Sequence, residues 1–424
     1  MLNTRGLSYA ISSGEFDRVF YELYGDDTPT QRIRYISAID ALLDKSPGTD
    51  EVAIISSPGR IELIGSYTEA HGGRAVGCAI NPDCIGVAAR ISTPSVTLLS
   101  HGFPGVSIST DSLSRRRYEG HTPRAILRGI CYRFIELGYQ VGGMLIFTDS
   151  NIPSGFGLAS SSAIEMLVAC AMNTLYNDSA IPPEVLADIA QWVEINYFMT
   201  SGSMLDQITV STGGALALDF AVPGEPLVEP LDLSFAFEEH TLAVVNPTSA
   251  SVNTTNDCAA ILDDLKSIAD FFGATSLIEL DESEFYGALC EVRKTVYDRA
   301  IVRAMHFFNE NRRVDNAVAA IKARDVDGLL YQIRQSGAAS FATLQNCYPL
   351  NPMERTVVLA LALAEQALEG RGACRVHGAG FACPILAVVP NDLLPAFARN
   401  MRDVFGDSSL RTLNVRHGAS ALFI

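Results

Sequence analysis

No two of the nine cysteines are spaced C-x-x-C and no two of the seven histidines H-x-x-x-H, so a dedicated zinc site has little support. The cysteines are odd in number and dispersed, several in apolar company such as Val168-Ala169-Cys170 and Ala382-Cys383-Pro384, which argues for reduced, buried thiols in a cytoplasmic protein. No apolar run approaches a membrane span, and Met1-Leu2-Asn3-Thr4-Arg5-Gly6-Leu7 does not lead into an uninterrupted apolar stretch, so no membrane partner is expected. The chain also has no fixed-period repeat and no low-complexity tract, which excludes solenoids, propellers and a disordered protein. Basic residues are short: Lys and Arg number 31 against 48 Asp and Glu, a formal charge of -17, so nucleic acid and anionic membrane surfaces are excluded as partners. The same field repels an anionic small molecule, which then needs a local nest of backbone N–H groups, a metal ion and an arginine.

What is present reads as a globular enzyme, 48% hydrophobic and 19% charged. A chain of 424 residues is longer than one core usually grows, so two domains are expected, 1–212 and 213–424, divided near Gly213-Gly214. Pattern predicts helices near Phe16–Leu23 and Gln31–Leu43, a strand at Val52–Ser56, a turn-rich segment Ser57–Gly73, and strands around Cys78–Ile80 and Ile85–Ile91. Gly143–Thr148 reads as a buried strand, Asn151–Ala159 as a Gly/Pro loop, and Ser160–Tyr176 as a helix with serine at its start. A further helix runs from Pro182-Pro183 to about Phe198, followed by the loop Thr200-Ser201-Gly202-Ser203 and an element opening at Met204. Later come strands at Thr241–Val245 and Ile385–Val389, amphipathic helices near Cys258–Phe272, Glu284–Ala304 and Arg313–Ala323, and a second glycine loop at Gly370–Gly380.

Three segments carry chemistry. In Pro153-Ser154-Gly155-Phe156-Gly157-Leu158-Ala159-Ser160-Ser161-Ser162-Ala163 the glycines permit positive φ and close approach of a phosphate. Serines follow at a helix N-terminus, where unsatisfied N–H groups favour an anion and a hydroxyl can reach a bound Mg²⁺. Taken alone, a tight turn with a serine cap explains such a loop as well. A Walker loop is excluded because its lysine is missing, and a Rossmann fingerprint because Ser160 stands where a third glycine is required. The other two segments are Pro58-Gly59-Arg60-Ile61-Glu62-Leu63-Ile64-Gly65-Ser66-Tyr67-Thr68-Glu69-Ala70-His71-Gly72-Gly73 and Gly372-Ala373-Cys374-Arg375-Val376-His377-Gly378-Ala379-Gly380-Phe381, with an acidic Asp206-Gln207 element between the glycine loop and the last of them.

In this order the three loops resemble the signature motifs of the GHMP kinases. Pro-Gly-Arg-x-x-Leu-Ile-Gly-x-x-Thr, Met-x-Asp-Gln and Gly-Ala-Gly-Phe are most similar to those of galactokinases, and the similarity runs from about Phe16 to the C-terminus. The resemblance implies an α+β fold of two domains, the first like ribosomal protein S5 and the second ferredoxin-like, with the site in the cleft between them. It implies transfer of the ATP γ-phosphate to a sugar, with small-molecule sugar and MgATP as partners. The family's catalytic Asp falls on Asp206, and its Arg beside the phosphoryl group on Arg60. Its Mg²⁺ ligands fall on Ser161 and Glu194, and its phosphate nest on Gly155, Gly157, Leu158, Ala159, Ser160 and Ser161, supported by Gly378-Ala379-Gly380. In-line phosphoryl transfer is catalysed mainly by positioning and charge neutralisation, which a hydroxyl, a carboxylate and an Arg can supply. Glu62, Glu165, His71 and His377 match no catalytic position of the family and are read as structural.

The acceptor side departs from the family. Where galactokinases continue Gly-Glu-His-Thr-Asp-Tyr, this chain has Gly65-Ser66-Tyr67-Thr68-Glu69-Ala70. Ser66, Tyr67, Glu69 and Asp206 are the candidate acceptor-binding residues. A further tyrosine of the family's sugar pocket falls near Thr254-Thr255, where there is none. Because a missing hydrogen-bond partner strands buried polar groups, such changes alter which sugar is accepted. Galactose is the expected acceptor, phosphorylated at the anomeric hydroxyl. Another hexose, a pentose, an amino sugar or a uronic acid stays open, as do a catalytically idle sugar and ATP sensor and a kinase for a non-sugar alcohol.

Overall fold

Two long strands organise the first half. Along Glu51–Ile64, Ala53, Ile55 and Ile61 enter one core while Val52 and Ile54 enter another, the two-residue period of a strand buried on both faces. The computed structural model describes residues 2–199, 204–248, 254–349, 351, 353, 355–381 and 384–422. The expected loop Thr200–Ser203 and Cys383 lie outside them. Glu51–Ile64 pairs antiparallel with Arg74–Arg90, which pairs in turn with Met144–Ser150 and Ala215–Asp219. Ser95–Ser100 joins Met144–Ser150 in parallel, and the whole forms a nine-stranded sheet among the described residues. Helices Pro123–Glu136, Ser160–Tyr176 and Pro183–Val193 pack on one face. Thr4–Ser13, Asp17–Tyr24 and Thr28–Lys45 cover the other.

A second, four-stranded antiparallel sheet runs Ala373–Val376, Ile385–Pro390, His240–Val245, Leu410–Leu413. Ala243 and Val245 face helices Thr356–Leu368 and Leu394–Phe405. Leu242 and Val244 face helices Asp298–Lys322 and Val326–Ala339, which also reach the strands Arg74–Arg90 and Glu51–Ile64 of the first sheet. This pair of helices therefore lies between the two sheets, against the loop that follows Ile64.

Several expectations are corrected. The segment expected to be turn-rich from Ser57 is strand as far as Ile64, with a register shift between Pro58 and Gly59, the irregularity at which a strand tolerates proline. Cys78–Ile80 and Ile85–Ile91 fall on one strand, Arg74–Arg90. Ala215–Asp219, Leu227–Leu231 and the late strand Ser420–Leu422 all pair into the first sheet, so its pairing does not stop at 212. We propose that the two units divide between Leu231 and His240. The C-terminal return is anchored by Arg416, whose Nη1 donates to Asp83 Oδ2 at 3.0 Å and Ser56 Oγ at 2.9 Å, all buried. In place of helices at Glu284–Ala304 and Arg313–Ala323 there are short ones at Glu282–Gly287 and Leu289–Val292 and an unbroken Asp298–Lys322. The last was split by buried polar residues, His306, Glu310 and Asn311, that interrupt its apolar stripe. All eight described cysteines are free and six are buried, but Cys290 is exposed. No described helix is long and apolar enough to cross a membrane.

Candidate active site

Arg60 leaves the first long strand where Gly59 crosses the glycine loop; a Cβ on Gly59 would stand 2.8 Å from the Leu158 carbonyl. The Arg60 N–H donates to that same carbonyl at 3.1 Å and its Nη1 to the Gly157 carbonyl at 3.0 Å. The other edge of the guanidinium forms a two-pronged pair with Asp206, Nε to Oδ1 at 2.6 Å and Nη2 to Oδ2 at 2.9 Å. Burial lowers the Arg60 pKa, yet the charge and hydrogen bonds of Asp206 outweigh it and hold the guanidinium above its ordinary value. Asp206 sits in the first turn of the helix Leu205–Thr212. The two residues predicted to do the chemistry are thus in contact, and both stand beside the glycine loop.

That loop presents backbone to solvent. Gly155, Gly157 and Ser160 are exposed, and Gly155 and Gly157 have φ of +79° and +62°. The helix begins at Ser160 as expected; the residue preceding it is Ala159, in a left-handed conformation at φ 58°, and no side-chain hydrogen bond caps the first turn, unlike the serine-capped turn that would also have explained the loop. The orphan N–H groups of Ser160 to Ser162 are left for an anion. Asn246, from the second sheet, donates to the Gly155 carbonyl at 3.4 Å.

Two residues read as structural, Glu62 and His377, lie within the electrostatic reach of Arg60. Glu62 is buried, with Oε1 3.5 Å from Arg375 Nη2. Burial raises its pKa, while Arg375 and Arg60 pull the other way. Glu69, on a short turn Glu69–His71, has its Oε2 buried without a partner. Burial and then the charge of Glu62 push its pKa up to about 8. His377 is buried with neither ring nitrogen in a hydrogen bond of good geometry. Burial, and then Arg60 and Arg375, push it down to about 3, so the imidazole is neutral. The Ser66 Oγ is buried without a partner. Tyr67, at φ 62°, turns away to donate its hydroxyl to the Ala379 carbonyl at 3.1 Å and packs its ring among Phe285, Phe307 and Phe381 and their neighbours. Thr254 and Thr255 begin the helix Thr255–Phe271. Glu62, His377 and Arg375 were missed because only their adjacency to Arg60, which is three-dimensional, marks them.

Of the candidate metal ligands, Glu194 is tied to Gln207, the residue after Asp206. Glu194 begins a single wide turn, Glu194–Phe198, of the kind found at functional sites. Its carboxylate accepts from Gln207 Nε2, which also donates to Glu165 Oε2 at 3.2 Å. Glu165 Oε1 and Ser162 Oγ are buried without partners. No cluster of three or more His, Cys, Asp or Glu poised for a metal exists among the described residues. Hydroxyl and carboxylate oxygens are nevertheless the hard donors Mg²⁺ takes, and Mg²⁺ commonly uses few protein ligands together with phosphate oxygens.

Residues 125–214 match the model for the N-terminal domain of GHMP kinases, and residues 44–90 match the galactokinase galactose-binding signature. Residues 125–214 thus carry a GHMP kinase N-terminal domain, preceded by a galactokinase galactose-binding signature. Among GHMP kinases the chain is similar to the galactokinase of Clostridium tetani, 26% identical over 360 residues, 81% of this chain and 86% of that protein. The Staphylococcus carnosus galactokinase is 27% identical over 383 residues, 88% and 93% of the two chains. Among solved structures, Lactococcus lactis galactokinase complexed with galactose superposes with a TM-score of 0.78 at 23% identity, covering 92% of this chain and all of that one. A mevalonate kinase superposes at 0.62 and 12% identity over 86% of this chain. The fold is the α+β GHMP kinase fold.

Proposed function

We propose that this chain is an ATP- and Mg²⁺-dependent sugar kinase that transfers the γ-phosphoryl group to the anomeric hydroxyl of galactose or a closely related sugar. The Arg60–Asp206 pair beside the open glycine loop carries the reading. The loop N–H groups bind the phosphates, with Ser161 and Glu194 as the residues to hold the metal. Mg²⁺, when bound, neutralises and orients the phosphate oxygens. Asp206 uses two of about four acceptor positions on Arg60, leaving room for an acceptor hydroxyl. The hydroxyl oxygen forms the new bond to the γ-phosphorus as the bond to the β–γ bridging oxygen breaks, and its proton passes to Asp206. Arg60, always charged, stands beside the phosphoryl oxygens as negative charge shifts between them.

The acceptor itself carries no negative charge in this reading. Asp206, Glu62 and Glu69 converge on the site, while its two arginines, Arg60 and Arg375, already contact Asp206 and Glu62. Neither arginine is left unpaired to receive the carboxylate of a uronic acid, so the neutral sugar and the amino sugar lead. Dispersed, free thiols fit a cytoplasmic setting. The test is ADP release with MgATP against galactose, galactosamine and galacturonate, with Asp206→Ala as control. Turnover of galactose or galactosamine that vanishes in the control supports the kinase; ATP binding with no turnover on any acceptor overturns it in favour of a sensor.

A further inference from the structure

We infer that Glu310 and His306, on the helix Asp298–Lys322, are positioning residues that hold the acceptor loop Gly65–Arg74 in register with Asp206. This rests on the kinase reading above. The loop's side chains belong to the first half of the chain, but much of its backbone is held by the second. Glu310, fully buried, accepts from the Gly65 N–H at 3.2 Å with Oε1, which also receives the Ser336 hydroxyl; its Oε2 accepts from Arg313 at 2.8 Å. One turn earlier on the same face, His306 Nε2 lies 3.1 Å from the Ser66 carbonyl, an acceptor that makes this nitrogen the donor. At the far end of the loop, Asn311 Oδ1 accepts from the Arg74 N–H at 2.8 Å. One helix thus grips both ends of a ten-residue loop.

The geometry leaves little substitute for the grip. Gly65 has φ 118° and a Cβ there would lie 2.6 Å from Ala75, so the turn is steeply constrained and its N–H is buried. Without the carboxylate that N–H has no partner. Between the anchors lie Ser66, Glu69 and His71, whose Oγ, Oε2 and Nδ1 are buried without partners. Their distance from Asp206 is set by the loop backbone, and a misplacement near 1 Å costs on the order of a hundredfold in rate. Glu310 and His306 are therefore expected to govern acceptor affinity and leave the nucleotide side, on the glycine loop, unchanged.

The test compares Glu310→Leu, which has no acceptor atom, with Glu310→Gln, which keeps one for Gly65, and with Phe397→Leu, a core change in the helix Leu394–Phe405. Galactose and MgATP are the probes, and hydrogen exchange of peptides 61–74 and 153–163 is read alongside. Glu310→Leu should raise the KM for galactose about tenfold or more, leave that for ATP within about twofold, and speed exchange in 61–74 alone. Glu310→Gln should recover most of both. Equal changes in the two KM values, matching Phe397→Leu at the same loss of Tm, overturn the inference, as does a glutamine variant no better than leucine. If the wild type turns over no sugar, the kinase reading fails and exchange decides: faster exchange confined to 61–74 upholds the grip, unchanged exchange refutes it.

Discussion

Replacing Asp206 by Asn separates the two things that residue does. The amide oxygen can still accept from Arg60 Nε, now at 2.6 Å, but the amide NH₂ then faces Arg60 Nη2, which sits 2.9 Å from Oδ2. One charged hydrogen bond is lost, about 1.5–3 kcal/mol in full. Because the Asp206 side chain keeps 27% exposure, solvent screens part of it and about 1–2 kcal/mol of stability is the expected loss. Turnover should suffer more. An amide cannot take the hydroxyl proton, and loss of a general base costs about 10²–10⁴ in rate, or roughly 2.7–5.5 kcal/mol of barrier. The assay is ADP release at saturating MgATP and galactose, with ATP binding by calorimetry and thermal unfolding in parallel. A kcat within about tenfold of wild type, in a variant that binds ATP normally, refutes the role given to Asp206.

Glu69 gives a pH signature. Its folded pKa, about 8, lies above the ordinary 4.5, so the native state holds a proton that the unfolded state has lost between those values, and stability falls as pH rises through that window. Glu69→Gln should remove the slope: its Tm advantage over wild type grows from pH 5 to pH 9, and the rise in galactose KM expected for wild type above pH 8 flattens. For the metal, Ser161→Ala and Glu194→Gln should each raise the Mg²⁺ concentration for half-maximal turnover about tenfold or more, while Tm without Mg²⁺ changes little; an unchanged Mg²⁺ titration removes those residues from the metal site.

The motif residues were readable because phosphate chemistry demands particular types at close spacing. Gly155 and Gly157 lie where glycine φ and a helix end leave marks in the sequence, whereas Arg60, Ser161, Glu194 and Asp206 were picked out by the resemblance to GHMP kinase motifs. Helices Thr28–Lys45 and Ser160–Tyr176 were legible from period alone. The long helix Asp298–Lys322 was not, since the polar residues that serve the acceptor loop break the very pattern that announces a helix. The orientation of Tyr67 was equally hidden, because a residue at positive φ between two glycine-rich turns can send its ring either way, and the Ala379 carbonyl some 300 positions on decides. Glu62 and His377 belong to the same class: ordinary in sequence, they are brought beside Arg375 and Arg60 only by the fold.

The late strand Ser420–Leu422 and Arg416 have a consequence for synthesis on the ribosome. Chains usually fold from the N-terminus as they emerge, but here the first sheet waits for Ser420–Leu422, more than 350 residues after the strand they pair with. Until Arg416 arrives, Asp83 has Arg34 but lacks the second guanidinium that meets its Oδ2, and the edge at Ile54–Ser56 has its backbone groups unpaired. A nascent chain stalled short of residue 416 therefore displays an unfinished sheet edge, a substrate for holdase chaperones and a site for mispairing with neighbouring polysomal chains. Emergence of residues 416–422, rather than of the first half, is the event that completes the first sheet.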